Sequence, residues 1–73
     1  MVDIQKLKSR MVLKGYNQGS LAAEMTARGV KISENTLSAK MNGRSKFDTD
    51  DANVICEILE LVNPADKAAI FLA

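Results

Sequence analysis

Helix-stopping residues divide this chain into five short segments, and that division limits the fold more than any other feature. Apolar residues recur three and four positions apart within each segment. The segments are separated by Gly15, Gly29, the Asn42-Gly43 pair and the Asn63-Pro64 pair. Such spacing is typical of amphipathic helices. The sequence therefore predicts an all-α fold of five short helices, each of roughly 8 to 14 residues, in a compact bundle with short connections.

The first two helices have clear apolar faces. The residues expected to be buried in the first helix are Ile4, Leu7, Met11 and Val12. Those expected to be buried in the second helix are Leu21, Ala22 and Met25. Asn17 is a good N-cap for the second helix, and Gly19 in its first turn permits the close approach of a backbone or a ligand. Residues 26–32 form a connector in which Gly29 ends the second helix.

The third and fourth helices are marked by capping residues. Ser33 is expected to start the third helix, whose buried residues are Leu37 and Met41. Asp48 or Thr49 is expected to cap the fourth helix. Phe47, just before the cap, is expected to pack against the first turns of this helix as a hydrophobic staple. The residues expected on its buried face are Ala52, Ile55, Leu59 and Val62, flanked by Ile58.

The fifth helix starts at Asn63-Pro64, because Asn is a good cap and Pro suits the first helical position. It is expected to end in Ile70, Phe71 and Leu72. Two uses of this terminal apolar group remain open: an isologous dimer contact, or packing back onto the first helix.

Size and composition bound the function. A chain of 73 residues fits one domain, spanning residues 1–73. It contains no His and only one cysteine, Cys56. We therefore expect no enzymatic activity, no metal, no other cofactor and no small-molecule substrate. Cys56 is expected to be a buried, inert thiol. No stretch has the length or the apolar character of a membrane span or a signal peptide, so we expect no membrane association and a cytoplasmic protein.

The charge balance gives little sign of a nucleic-acid partner, because the formal net charge is only +1. The charges are unevenly placed, however. Basic residues are frequent early in the chain and in the middle, whereas Asp and Glu concentrate in the last third. Any affinity for DNA must therefore come from how the charge is distributed over the surface.

Residues 18–46 contain two motifs in a fixed order. The first, Gln18-Gly19-Ser20-Leu21-Ala22, has the pattern Gln-x-x-Leu-Ala, which resembles the start of a short helix in the Cro and λ-repressor-like helix-turn-helix family. The run from Thr36 to Gly43, Thr-Leu-Ser-Ala-Lys-Met-Asn-Gly, looks like small phage and prophage regulators of this class. The connector at residues 26–32 is longer than the tight turn of most members, which leaves the angle between the two helices open.

The resemblance implies a recognition helix over about residues 33–42, inserted into the major groove of double-stranded DNA. The residues expected to contact bases are Glu34, Asn35, Ser38 and Ala39. The residues expected to contact phosphates are Gln18, Thr36, Lys40, Asn42, Arg44 and Lys46. Several of these residues also have a purely structural interpretation. Glu34 and Asn35 can satisfy a helix start, Ser38 can bond its own backbone, and the basic residues can be solvated surface.

The function implied is that of a sequence-specific transcriptional regulator of Cro or repressor type. Family members commonly bind palindromic operators as homodimers, with half-sites about 34 Å apart. The alternative is a protein-interaction module of the same fold, without DNA specificity of its own, which would suit the near-neutral charge. A purely structural helical domain is the third interpretation.

Overall fold

The computed structural model describes residues 2–71, and over that range it contains five α-helices and no strand. The helices are α1 (Ile4–Leu13), α2 (Gln18–Ala27), α3 (Glu34–Met41), α4 (Thr49–Ile58) and α5 (Pro64–Phe71). The prediction of an all-α bundle of five short helices is confirmed. Leu72, which we expected at the end of the fifth helix, lies outside the described residues.

Four of the helices begin at a side chain that accepts a hydrogen bond from the backbone N–H three residues later. Asn17 Oδ1 accepts from Ser20 at 2.8 Å, Ser33 Oγ from Thr36 at 3.1 Å and Asp48 Oδ1 from Asp51 at 2.8 Å. Asp3 does the same for α1. These bonds satisfy first-turn N–H groups that have no partner within a helix. The predicted caps Asn17 and Ser33 are confirmed, and Asp48, not Thr49, caps α4.

The same four helices end in one hydrogen-bonding pattern, the Schellman motif. At the end of α1, for example, Gly15 N–H donates to the Val12 carbonyl at 3.0 Å and Tyr16 N–H donates to the Met11 carbonyl at 2.8 Å. The motif requires a residue in the left-handed conformation just after the helix, which glycine adopts most easily. The sequence supplies Gly15, Gly29 and Gly43 at three of these positions.

The fourth motif uses Glu60, at φ 57°, in place of glycine. Here Leu61 N–H donates to the Cys56 carbonyl at 2.8 Å. Our prediction that the apolar face of α4 continues to Val62 is wrong, because the helix ends at Ile58 and the turn at Glu60 directs the chain away. Leu61 enters the core, and Val62 is 86% exposed.

The core is formed by one cluster of buried apolar side chains to which all five helices contribute. Its largest fully buried members are Leu7, Leu21, Met25, Leu37, Ile55, Leu59 and Ile70. Our prediction of Val12 on the buried face of α1 is wrong, because this side chain is 75% exposed. The buried stripe of α1 is narrow, with Leu7 and Met11 inside and Ile4 packed at its edge.

Three helix pairs organise the bundle: α2 lies against α3 and against α4, and α1 lies against α5. The two ends of the described chain are joined by a bond from Asp3 N–H to the Ile70 carbonyl at 2.6 Å. The sequence left two uses open for the terminal apolar group, a dimer contact or packing back onto the first helix. Ile70 is buried within the bundle, so this residue packs back. Phe71 is half-buried and meets the ring of Phe47 edge-on, with centroids 6.1 Å apart.

Among residues 2–71, no helix has the length and apolar character needed to cross a lipid bilayer.

Candidate nucleic-acid interface

The connector between α2 and α3 begins at Arg28 and not at Thr26 as predicted, because α2 continues to Ala27. It is held by one side chain, that of Thr26 in the last turn of α2. Its hydroxyl accepts a hydrogen bond from Ile32 N–H at 3.3 Å and lies 3.0 and 3.1 Å from the carbonyls of Ala22 and Ile32. Val30 and Ile32 pack against the edge of the core. The long connector is therefore tied at both ends, and it fixes α3 beside α2.

The first turns of α2 and α3 lie close together. The Glu34 carboxylate, on the first residue of α3, approaches Gly19 in the first turn of α2 so closely that a β-carbon there would lie 3.3 Å from Glu34 Oε1. Gly19 does permit a close approach, as its position in the sequence indicated, but the approaching group is a side chain of this protein. Because the positive ends of two helix dipoles meet at this point, a carboxylate is favoured there.

The side chains of α3 divide between core and surface at helical spacing. Leu37 and Met41 are buried, as predicted. Glu34 and Asn35 are exposed, and Asn35 makes no side-chain hydrogen bond to any other described residue. Ser38 and Ala39 are half-buried. The four residues expected to contact bases therefore occupy the helix surface not covered by the core.

Two of the expected phosphate ligands serve local structure. Thr36 Oγ1 accepts a hydrogen bond from the Ser33 hydroxyl at 2.9 Å, and Asn42 Nδ2 donates to Ser38 Oγ at 3.3 Å. Both residues are exposed, so these bonds orient their polar atoms without removing them from solvent. Gln18 is half-buried at the first position of α2.

A short basic loop follows α3. Arg44 N–H and Ser45 N–H both donate to the Ala39 carbonyl, at 2.9 and 3.3 Å, which holds the loop against the last turn of the helix. The side chains of Arg44 and Lys46 are exposed, and neither forms an ion pair with a described residue. Their charges are therefore available to an external anion.

Lys40 has a different environment from the other basic residues of this region. Its ammonium forms an ion pair and a hydrogen bond with Asp51 Oδ2, and the two side chains are only 15% and 3% exposed. The same oxygen accepts from Asp48 N–H at 3.2 Å, which completes a capping box at the start of α4. The structure thus gives Lys40 an internal partner.

The pairing of Lys40 with Asp51 was missed from the sequence. The capping pattern of Asp48 and Asp51 was visible, since the two are three residues apart, but an acidic residue in a first turn is equally expected to face solvent. Only the fold brings the end of α3 to the start of α4, so the sequence carries no direct signal for the partner of Asp51.

Two titratable groups away from α3 have shifted pKa values. Burial raises the pKa of the Cys56 thiol, although the positive charge of Lys67 acts in the opposite direction. The hydrogen bond from Lys14, together with the positive charge of that residue, lowers the pKa of Glu60. Cys56 is buried, as predicted, and its protonated thiol is a poor nucleophile. No three acidic, Cys or His side chains within residues 2–71 are placed to hold a metal ion.

Comparisons of this chain with protein families, with curated proteins and with solved structures find no match.

Proposed function

We propose that this chain is a sequence-specific DNA-binding regulator of transcription, of the Cro or repressor type found in phages and prophages. In this proposal α3 enters the major groove of an operator, and α2 lies across the DNA backbone. The observation that carries the proposal is the juxtaposition of Glu34 with Gly19. It places the starts of α2 and α3 at one surface, which a helix-turn-helix requires if one helix is to meet phosphates while the next meets bases.

Direct reading of bases is assigned first to Asn35. Its amide is exposed in the first turn of α3 and has no hydrogen-bond partner among the described residues, and an Asn side chain can bond bidentately to adenine. Glu34 and Ser38 lie on either side of it. The Glu34 carboxylate can accept a hydrogen bond from cytosine, and the Ser38 hydroxyl can donate to or accept from a base edge. Ala39 offers a methyl group to a thymine methyl.

Phosphate contacts are assigned to both ends of this surface. Arg44 and Lys46 supply exposed cations just after α3. Gln18 stands at the start of α2, where its side-chain amide can donate a hydrogen bond to a phosphate oxygen. Thr36 and Asn42 add neutral donors. Lys40 is left out of this group because Asp51 already binds its ammonium.

A homodimer on a palindromic operator completes the proposal, because so few phosphate contacts per chain would give a monomer only weak affinity. A protein-interaction module of the same fold is the second candidate. The observation in its favour is the carboxylate of Glu34 in the middle of the surface, since a negative charge there repels phosphates.

Selection from random DNA distinguishes the two candidates. The purified protein is mixed with a pool of random duplexes, and the retained DNA is sequenced. Binding of the enriched site is then measured at about 50 and 200 mM salt, a range over which phosphate contacts weaken strongly. Enrichment of a two-fold-symmetric site with steeply salt-dependent affinity is the expected result. If no sequence is enriched and binding stays weak at low salt, the DNA-binding proposal fails.

A further inference from the structure

The pair Lys40–Asp51 joins the last turn of α3 to the first turn of α4. Lys40 and Asp51 are eleven positions apart in the sequence, and most of the chain between them is exposed. Asp51 is the one charged residue among those described that is fully buried. Two hydrogen-bond donors meet on its Oδ2, the charged Lys40 ammonium and the neutral Asp48 N–H.

This arrangement holds α3 at its C-terminal end. At the other end, the Thr26 hydroxyl fixes the connector, and along its length α3 packs chiefly on α2. An ion pair this deeply buried tolerates little displacement, because moving either charge away leaves the other without a partner in a poorly solvated place. Rotation or sliding of α3 would break it.

We propose that Asp51 is a positioning residue for DNA recognition. By holding Lys40, it sets the orientation of α3, and so determines where Asn35 meets the bases. This inference rests on the proposed function, and it assigns Lys40 to a structural role in place of the phosphate contact expected from the sequence.

The double variant K40M/D51N tests the role of the pair. Methionine keeps much of the lysine stem, and asparagine keeps an oxygen that can accept from Asp48 N–H. The variant loses one charge of each sign, so the net charge of +1 is unchanged. Its matched control is K14M/E60Q, which removes the exposed ion pair between Lys14 and Glu60, away from α3.

Two readouts are taken at a temperature where circular dichroism shows all variants folded. The first is affinity for the selected operator and for random duplex, each over a range of salt. For K40M/D51N we expect operator affinity to fall by about tenfold, comparable to a mismatched base pair, with random-duplex affinity and salt dependence unchanged. A salt slope shallower by about 0.9 would instead identify Lys40 as a phosphate ligand and overturn the proposal.

The second readout is independent of DNA. Residual dipolar couplings of backbone N–H groups report the orientation of α3 relative to α2 and α4 in the free protein. We expect the couplings of α3 to change in K40M/D51N and to stay unchanged in K14M/E60Q. Unchanged couplings in K40M/D51N overturn the proposal. If the unmodified protein selects no DNA site, the proposed function fails separately, and the couplings still decide whether the pair positions α3.

The single variant D51N provides a second test, and it serves alone if the double variant does not fold. Lys40 then loses its charged partner and is expected to turn towards solvent. Random-duplex affinity should rise, and the salt slope should steepen by up to about 0.9, because one more cation reaches the phosphates. Operator affinity relative to random duplex should fall. If D51N keeps the salt slope of the unmodified protein and its ratio of operator to random-duplex affinity, Asp51 is not a positioning residue.

Discussion

The carboxylate of Glu34 lies against Gly19, at the point where the first turns of α3 and α2 meet. It belongs to the first turn of its own helix and also faces the N-terminus of another. A β-carbon at residue 19 would lie 3.3 Å from Glu34 Oε1, so the carboxylate would have to shift by a few tenths of an ångström.

The variant E34Q should therefore affect stability and DNA binding in opposite directions. Loss of the negative charge near two helix N-termini should lower the free energy of unfolding by about 0.3 to 1 kcal/mol. Affinity for random duplex should rise, since a charge that repels phosphate is removed. Denaturant titration and a binding titration measure the two effects. E57Q makes the same charge change near the end of α4 and should leave DNA affinity nearly unchanged.

Replacement of Asn35 by alanine tests base reading. If its amide bonds to a base, N35A should lower affinity for the selected operator by about 1 to 3 kcal/mol and leave random-duplex affinity and stability unchanged. Asn53, an exposed residue of α4, provides the control variant N53A. Equal losses on the operator and on random duplex would assign Asn35 to general surface contact.

Arg44 is expected to act on all sequences alike. R44A should weaken operator and random-duplex binding by similar factors and reduce the salt slope by about 0.9, because one phosphate contact is lost. The comparison is K8A, which removes an exposed cation from α1. An R44A protein with an unchanged salt slope would show that this residue does not touch the backbone of DNA.

Glu60 holds a left-handed conformation that costs a non-glycine residue roughly 1 kcal/mol or more. Among variants that all lack the ion pair with Lys14, E60G should therefore be more stable than E60A by about 1 kcal/mol. At Asn53, inside α4, the order should reverse, with N53G less stable than N53A by about 1 kcal/mol. Denaturant midpoints of the four proteins measure both differences, and the same order at both positions would contradict the turn at Glu60.

The thiol of Cys56 should react slowly in the native protein. Burial raises its pKa, so little thiolate forms near neutral pH, and the folded state favours the protonated form. The free energy of unfolding should therefore keep its full value at pH below the ordinary pKa of a thiol. It should decrease as the pH rises through the raised pKa of Cys56 in the native protein. Labelling with a disulfide reagent, with and without denaturant, measures accessibility. Native labelling as fast as that of the denatured chain would show an exposed thiol.

The helix boundaries were largely predictable because their signals are local. A capping side chain acts within three residues, and a glycine acts at its own φ, so Asn17, Ser33 and Gly29 could be read directly from the sequence. The sequence predicted too long an apolar face for α4, up to Val62, because the residue that turns the chain after this helix is Glu60. A glutamate gives no local signal for the end of a helix.

Burial and pairing were less predictable because they depend on distant partners. Val12 fits the apolar spacing of α1 but faces away from the neighbouring helices. Lys40 has the spacing and charge of a phosphate ligand, yet the fold supplies it with Asp51. For the candidate interface, the sequence was sufficient to identify the exposed residues of α3 but not the side chains that hold this helix in place.

The bond between Asp3 and Ile70 makes the backbone nearly a closed ring. Linking the backbone near Asp3 to the backbone near Ile70 through a short flexible linker should therefore permit circular permutation, with new termini opened at the exposed turn around Val62 and Asn63. Such a rearranged chain would keep the order of α2, the connector and α3 intact. It would also allow a fluorophore or a second domain to be attached at this turn.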